Sequence, residues 1–308
     1  MLRVEGLQKQ FGQFQAVREM NFALEPGSIF GFVGPNGAGK TTTMKMIATL
    51  LKPSAGSIYV GDVNAVERPE EARRQMGYMP DFFGVYDDLK VTEYMEFYAD
   101  CYHVPRAGRD RLIGDLLELV SLSHKKDSYV DVLSRGMKQR LCLARCLVHD
   151  PNVLLLDEPA SGLDPRARVE MRELLQELHR MGKTILVSSH ILAELSEMCT
   201  HIGIVDNGRL AVAGRVDEVL RRAGARVMEI RVAGNQAEAA LAAARTVPGV
   251  TEAVAGDGGL CRVTVDGDEE AVAALLAALV REGHPVVHFA EVHSKLEDLF
   301  MSITGGEA

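Results

Sequence analysis

The chain has no long run of lysine and arginine. Its net charge is −9 over 308 residues, so a basic nucleic-acid footprint is not its main feature. It also lacks a hydrophobic stretch fit to cross a membrane. The longest apolar run, residues 271–280, is alanine-rich and falls well short of the roughly 18 residues a span requires. Met1-Leu2-Arg3 opens with no signal-peptide pattern. A chain soluble by itself is therefore expected, with any membrane role coming through a partner chain. Cysteine is sparse and scattered, at Cys101, Cys142, Cys146, Cys199 and Cys261. No pair with metal-ligand spacing is backed by a second pair, so reduced, buried thiols in a cytosolic protein are expected. His284, His288 and His293 are loosely grouped and read as solvated surface, not as a metal site.

What is present is apolar enough for a sizeable core: hydrophobic residues make up 47% of the chain, and the length suits two domains of about 150 residues each. One stretch organises the rest: Gly34-Pro35-Asn36-Gly37-Ala38-Gly39-Lys40-Thr41. Two glycines with four residues between them, followed by Lys and Thr, have the spacing of a phosphate-binding loop. Residues 28–33 before it read as a buried strand. Residues 42–51 after it read as a helix, with Met44, Ile47, Ala48 and Leu51 on its apolar side. A glycine-rich turn that merely caps a helix is the plain alternative; the strand and helix in place on either side argue against it. Glycines let backbone N–H groups turn inward as an anion nest, and the helix N-terminus adds partial positive charge. Lys40 can reach β- and γ-phosphates, the Thr41 hydroxyl can hold Mg²⁺, and Thr42 is expected beside them among the ATP-binding residues.

Along the chain, residues 2–7 and 16–24 read as strands of a small N-terminal sheet, separated at Phe11-Gly12. Short strands are expected at 56–60 and 77–79, with a helix over 69–75. From about 88 to 150 the pattern is helical: 92–102 with Thr92 as its cap, 109–120, and 134–148 opened by Ser134. Residues 153–156 form a continuous apolar run suited to a strand buried on both faces. A helix over 165–181, a buried strand over 184–188, a hairpin around Asn207-Gly208 and a helix over 216–222 complete this part. Beyond the linker at 221–225 the order is strand 227–232, helix 236–245, strand 250–254, strand 260–265, helix 269–282 and strand 286–289. That is a βαββαβ, ferredoxin-like pattern, followed by an amphipathic helix over 295–302. The expected fold class is α/β, a P-loop NTPase domain over 1–222 with a helical subdomain at about 88–150, plus a small α+β ferredoxin-like domain over 226–308.

Asp157 follows the apolar strand, where an open parallel sheet presents its ligand, and can complete the Mg²⁺ shell begun by Thr41. Glu158, a second carboxylate not needed by the metal, can polarise an attacking water. The plain alternative for Asp157-Glu158-Pro159 is a strand-ending turn, which a phosphate loop upstream disfavours.

At this point the chain resembles a known family. Leu133-Ser134-Arg135-Gly136-Met137-Lys138-Gln139-Arg140 is similar to the ABC signature motif. Together with the phosphate loop, Leu155-Leu156-Asp157-Glu158-Pro159, Ser161-Gly162-Leu163-Asp164 and His190, it resembles the ABC ATPase nucleotide-binding domain in order and spacing over residues 1–222. The C-terminal part resembles the appendage of ABC export ATPases of the drug, antibiotic and polysaccharide type. The resemblance implies ATP and Mg²⁺ as ligands and a head-to-tail pair of copies, or a pair with a related ATPase subunit. Each ATP then lies between one phosphate loop and the opposite signature, with Ser134 and Gly136 serving the nucleotide of the other copy. It further implies His190 as the switch histidine, Asp164 as the residue communicating across the interface, and Phe11 stacked on adenine where Tyr is more usual. By burial alone, Phe11 could equally be a core residue of a small sheet.

Two departures stand out. Asp81 occupies the place of the usual Gln after Tyr78-Met79-Pro80, and a carboxylate there can reach Mg²⁺ by charge. Arg135 stands where Gly is common and adds a positive side chain near the opposite nucleotide. The function implied is that of an ATP-hydrolysing subunit at the cytoplasmic face of the membrane, peripheral to a transmembrane permease and energising export. Phe82, Phe83, Val85 and Tyr86 are the expected contact for that partner, nucleic acid is not a partner, and helical-subdomain core is the plain alternative for the same aromatics. The competing function is an ATP-switched protein of DNA repair or translation, but the coiled-coil insertions, tandem ATPase domains or basic patches of such proteins are absent from the sequence.

Overall fold

The computed structural model describes residues 1–82, 84–191, 195, 198–222, 225–234, 236–256 and 259–292. The chain divides into two compact units, Met1–Val216 and Asp217–Ala308.

The first unit holds two sheets. An antiparallel sheet contains β1 (Leu2–Phe11), β2 (Phe14–Leu24), β4 (Ala55–Val60) and β5 (Val63–Asn64), in the order β2-β1-β4-β5. The first strand runs to Phe11 and not only to residue 7, because Phe11 pairs with Phe14 across a two-residue tip. The second sheet contains β3 (Ile29–Val33), β6 (Met76–Met79), β7 (Val153–Asp157), β8 (Thr184–Ser189), β9 (His201–Asp206) and β10 (Arg209–Arg215), in the order β10-β9-β3-β8-β7-β6. All its pairs are parallel except the terminal hairpin of β9 and β10. The central strands β3, β7 and β8 are buried at every position, which is why they read as unbroken apolar runs and not as alternating ones. Between the sheets, Phe22, Phe30 and Phe32 bring their ring centroids within 5.4–6.4 Å of one another, a close aromatic cluster.

Helix α1 (Lys40–Ile47) follows β3, starting two residues earlier than the apolar pattern suggests because Gly39 caps it at φ 102°. A short α2 (Pro69–Arg73) precedes β6. The helical stretch consists of α3 (Val91–Cys101), α4 (Arg109–Leu119) and α5 (Arg135–Leu147), which pack on one another and bury Tyr94, Met95, Ile113, Leu117 and Leu141. Thr92 does not cap α3. The Glu93 carboxylate accepts the Lys90 N–H at 2.8 Å, while the Thr92 hydroxyl donates to the Lys126 carbonyl at 2.7 Å. Helix α6 (Pro165–Arg180) links β7 to β8.

A helix α7 (Val216–Arg222) begins at the boundary of the two units. The second unit pairs β11 (Ala225–Val232), β12 (Val250–Ala255), β13 (Leu260–Asp266) and β14 (Val286–Val292) in the antiparallel order β12-β13-β11-β14. Helices α8 (Ala237–Ala244) and α9 (Glu269–Arg281) complete the βαββαβ succession. Their Leu241, Leu275 and Leu279 pack on Met228, Ile230, Val263 and Val265 in a core of its own, as the ferredoxin-like pattern predicts. Between β12 and β13, residues 257 and 258 lie outside the described residues. The amphipathic helix expected over 295–302 lies outside the described residues. All five cysteines are free; Cys142, Cys146 and Cys261 are buried as expected, whereas Cys101 is exposed and Cys199 is half-buried.

Candidate nucleotide site

Three neighbouring parallel strands end at one place. Register pairs Phe32 with Ser188 and Val33 with Ser189, and Asp157 with Ser188. The loops leaving β3, β7 and β8 therefore open side by side at the carboxyl edge of the sheet, where such folds bind ligands. Met79 of β6 lies beside Leu156, which brings Asp81 to the same edge.

The loop after β3 turns through Gly37 at φ 83° and Gly39 at φ 102°. Both lie in the left-handed region that glycine adopts without steric cost. A Cβ on Gly39 would stand 2.7 Å from the Ala16 carbonyl, whereas one on Gly37 would meet nothing within 4 Å; Gly37 faces an open cradle. Lys40 is 6% exposed, and its Nζ donates to the Gly34 and Pro35 carbonyls at 2.5 and 3.2 Å. Burial pushes the Lys40 ammonium below its usual range, with Glu158 and Asp157 pulling the other way. The positive charge is thus held where desolvation makes an added anion welcome.

Asp157 is fully buried. Its Oδ1 accepts from the Ser188 hydroxyl at 2.7 Å and from the Thr41 hydroxyl at 3.2 Å, while its Oδ2 has no partner among the described residues. Burial raises the Asp157 carboxyl above its ordinary value, partly offset by the Ser188 and Thr41 hydroxyls. A buried carboxylate with one orphaned oxygen, beside a hydroxyl, is a hard-oxygen donor set that suits Mg²⁺. Glu158 follows in a left-handed conformation at φ 51°, strained for a residue with a Cβ. Its N–H donates to Ser188 Oγ at 2.9 Å. One carboxylate oxygen lies 2.8 Å from His190 Nδ1 and the other 4.0 Å from Lys40 Nζ.

A pocket of about 440 Å³ covers this edge. Phe11, Pro35, Asn36, Gly37, Gly39, Lys40, Thr41, Thr42, Asp81, Glu158 and His190 all line it, and Asp157 stands behind Thr41. Gly34 and Ala38 form the back of the loop: Ala38 is buried, and a Cβ on Gly34 would collide with the Val205 carbonyl. Phe11 is 48% exposed and lines the pocket; it is not a core phenylalanine. The aromatics expected to meet a partner are also outside the core where described: Phe82 is 90% and Tyr86 52% exposed. Phe83 lies outside the described residues.

Ser134, Gly136 and Asp164 do not line this pocket. Ser134 is the N-cap of α5, its Oγ accepting the Met137 N–H at 3.3 Å. Asp164 caps α6 through the Ala167 N–H at 2.9 Å. Two further contributors were not singled out from the sequence: Phe14, exposed across from Phe11 and lining the pocket, and Ser188, whose hydroxyl ties Asp157 to the Glu158 backbone. The Ser188-Ser189 pair ending an apolar strand, and the aromatic repeat in Phe11-Gly12-Gln13-Phe14, were the available signals.

Comparison with known proteins identifies the family. Residues 17–161 match the family described as ABC transporter, and residues 214–304 match the C-terminal domain of DrrA1-3-like ATP-binding proteins. The Nod factor export ATP-binding protein I of Ralstonia nicotianae is 34% identical over 309 residues, covering 100% of this chain and 94% of that one. The chain belongs to the ABC transporter ATP-binding family. The linearmycin resistance ATP-binding protein LnrL of Bacillus subtilis is 30% identical across 99% of this chain and 98% of its own. Among solved structures, an ATP-binding subunit of an ABC transporter aligns with TM-score 0.66 and 31% identity over 72% of this chain and 92% of that one. As an ABC ATP-binding subunit, the chain binds and hydrolyses ATP. No helix among the described residues is long and apolar enough to cross a membrane. Nothing in these matches favours the reading in DNA repair or translation.

Proposed function

We propose that this ABC ATPase energises export through a separate transmembrane permease, peripheral to the membrane at its cytoplasmic face, by closing head to tail on a second copy or on a related subunit. The observation that carries the reading is the convergence of Lys40, Glu158, His190 and the Thr41–Asp157 pair on one pocket, while a second helix tip suited to an anion, at Ser134, lies outside it. One phosphate site is complete within the chain, so the second serves another nucleotide. The relatives named for Nod factor export and linearmycin resistance support the export direction.

In this reading the loop from Gly34 to Gly39 and the ammonium of Lys40 grip the phosphates, and Phe11, with Phe14 opposite, receives the base. Thr41, Asp157 and Asp81 would hold Mg²⁺, which would supply charge neutralisation on the phosphates. Glu158 accepts a proton from water, and His190 holds the Glu158 carboxylate and faces the γ-phosphate side. Ser134 and Gly136 contact the nucleotide of the other copy, and Asp164 reports across the interface. The exposed Phe82 and Tyr86 meet the permease.

Replacing Glu158 with Gln tests the chemistry. ATP binding is retained and turnover falls by at least about 10²-fold; near-normal hydrolysis rejects Glu158 as the group that activates water. Co-purification of a multi-span membrane protein with the full chain tests the transport role.

A further inference from the structure

The first turns of α5 grip the loop that carries Glu158. The Arg135 guanidinium lies against Gly162: a Cβ at Gly162 would stand 2.5 Å from Arg135 Cζ and 2.7 Å from each of Nη1 and Nη2. Near-equal distances to all three atoms mean that the planar group lies face-on over the glycine. Gly162, at φ 68°, has neither the Cβ that would block this contact nor a penalty for its conformation. One turn on, Gln139 is 2% exposed and donates from Nε2 to the Ser161 carbonyl at 3.1 Å. Its Oε1 is buried without a partner among the described residues. Gly136 lets α6 approach, since a Cβ there would come 3.3 Å from Ala167 Cβ.

The other end of this loop reaches the chemistry. The Ser161 N–H donates to the Glu158 carbonyl at 3.0 Å, and Ser161 lines the nucleotide pocket beside Glu158. A contiguous path therefore runs from the helix tip at Ser134, through Arg135 and Gln139, to Ser161 and Gly162, and on to Glu158.

We propose that Arg135 is a positioning residue: stacked on Gly162 and supported by Gln139, it couples the helix tip that receives one nucleotide to the Glu158 that acts on the other. This rests on the head-to-tail reading above. In the pair, Ser134 of a given copy sits on its partner's nucleotide, while Glu158 of the same copy acts on its own. A rigid link between them makes each site sense whether the other is filled, which is a coupling free energy between two sites. The contact needs the planar guanidinium. A lysine carries the same charge but cannot lie flat on a glycine.

The test uses the full chain carrying Arg135→Ala or Arg135→Lys, each alone and in a Glu158→Gln background. In the hydrolysing background, initial rates against ATP concentration give kcat, KM and the Hill coefficient. In the Glu158→Gln background, sedimentation with ATP gives dimerisation. The wild type is expected to hydrolyse ATP with a Hill coefficient clearly above 1. Both substitutions are expected to keep ATP binding within about twofold, to lower kcat by about tenfold and to bring the Hill coefficient to about 1. Dimerisation in the Glu158→Gln background should persist. A wild-type Hill coefficient of 1, wild-type cooperativity in Arg135→Ala, or full restoration by Arg135→Lys each overturns the proposal while leaving head-to-tail pairing intact. Failure of the Glu158→Gln chain itself to dimerise in ATP removes the pairing, and the proposal with it.

Discussion

His190 Nδ1 lies 2.8 Å from one oxygen of Glu158, and the other oxygen of the same carboxylate lies 4.0 Å from Lys40 Nζ. The group proposed to take a proton from water is thus bridged between the side chain proposed to grip phosphate and the one after β8. Its backbone is held left-handed at φ 51° and its N–H is fixed by Ser188, which gives the carboxylate little freedom to wander. His190→Ala is expected to lower kcat by at least about 10²-fold while leaving ATP affinity near that of the wild type, measured by steady-state kinetics beside equilibrium binding.

Asp157 gives a prediction about stability and pH. Burial raises its carboxyl above the ordinary 3.8. Between 3.8 and the raised value, the folded chain binds more protons than the unfolded one, so this group's contribution to stability falls as pH rises through that window. At neutral pH the wild type carries the full cost of an ionised, buried carboxylate. Asp157→Asn carries no charge and can keep the Ser188 and Thr41 contacts through Oδ1. Without nucleotide or metal, its Tm at pH 7 should equal or exceed that of the wild type, with the difference narrowing toward pH 4. The same variant should lose the Mg²⁺-dependent part of the stabilisation by ATP. Thermal unfolding with and without Mg²⁺ checks both halves.

The proposed base end of the pocket should behave as uniform binding. Phe11→Ala is expected to raise the KM for ATP about tenfold with kcat nearly unchanged, consistent with about 1–3 kcal/mol for stacking a base on an aromatic ring. Phe14→Ala should act in the same direction. A large fall in kcat for either would place these rings in the chemistry and not in binding.

Thiol accessibility gives a check independent of nucleotide. Cys101 is exposed while Cys142, Cys146 and Cys261 are buried, and burial pushes the thiols of Cys199 and Cys261 up. An aromatic disulfide reagent at pH 8 should therefore modify Cys101 rapidly in the native chain, with the buried thiols reacting only on denaturation. Rapid modification of Cys142 or Cys146 in the native state would contradict the packing of α5.

Much of this site was legible from local pattern. The glycine spacing ahead of Lys40 dictates a loop that turns back on itself, and the apolar run ending at Asp157 dictates a carboxylate at a strand end. Neither inference needs knowledge of the tertiary fold. The Glu158–His190 hydrogen bond does need it: the residues are 32 apart in sequence and meet only because β7 and β8 are neighbours in the sheet. The Ser188-Ser189 pair was a visible but weak signal, since a serine at a strand end takes on a role only once its hydroxyl is found against Asp157. Thr92 shows a local rule overridden: a threonine at a helix start is a common cap, but a long-range carbonyl at Lys126 takes its hydroxyl and Glu93 does the capping. Phe11 read only as part of the break between two strands; its pairing with Phe14 at the hairpin tip, with the ring out of the core, became visible only in the fold. Arg135 was visible as a departure from the family pattern, and its partner Gly162 became visible only when α5 met the loop after β7.

The central claim is that one nucleotide is held between the glycine loop of one chain and the Ser134 helix tip of another. Sedimentation of Glu158→Gln, with and without Ser134→Glu, tests it most directly. The account predicts that Glu158→Gln is a dimer in ATP and a monomer in ADP. It also predicts that Ser134→Glu, which places a negative charge on the helix tip, leaves the chain monomeric in ATP while each monomer still binds ATP with near-normal affinity. A Glu158→Gln/Ser134→Glu chain that dimerises in ATP as readily as Glu158→Gln alone would contradict it.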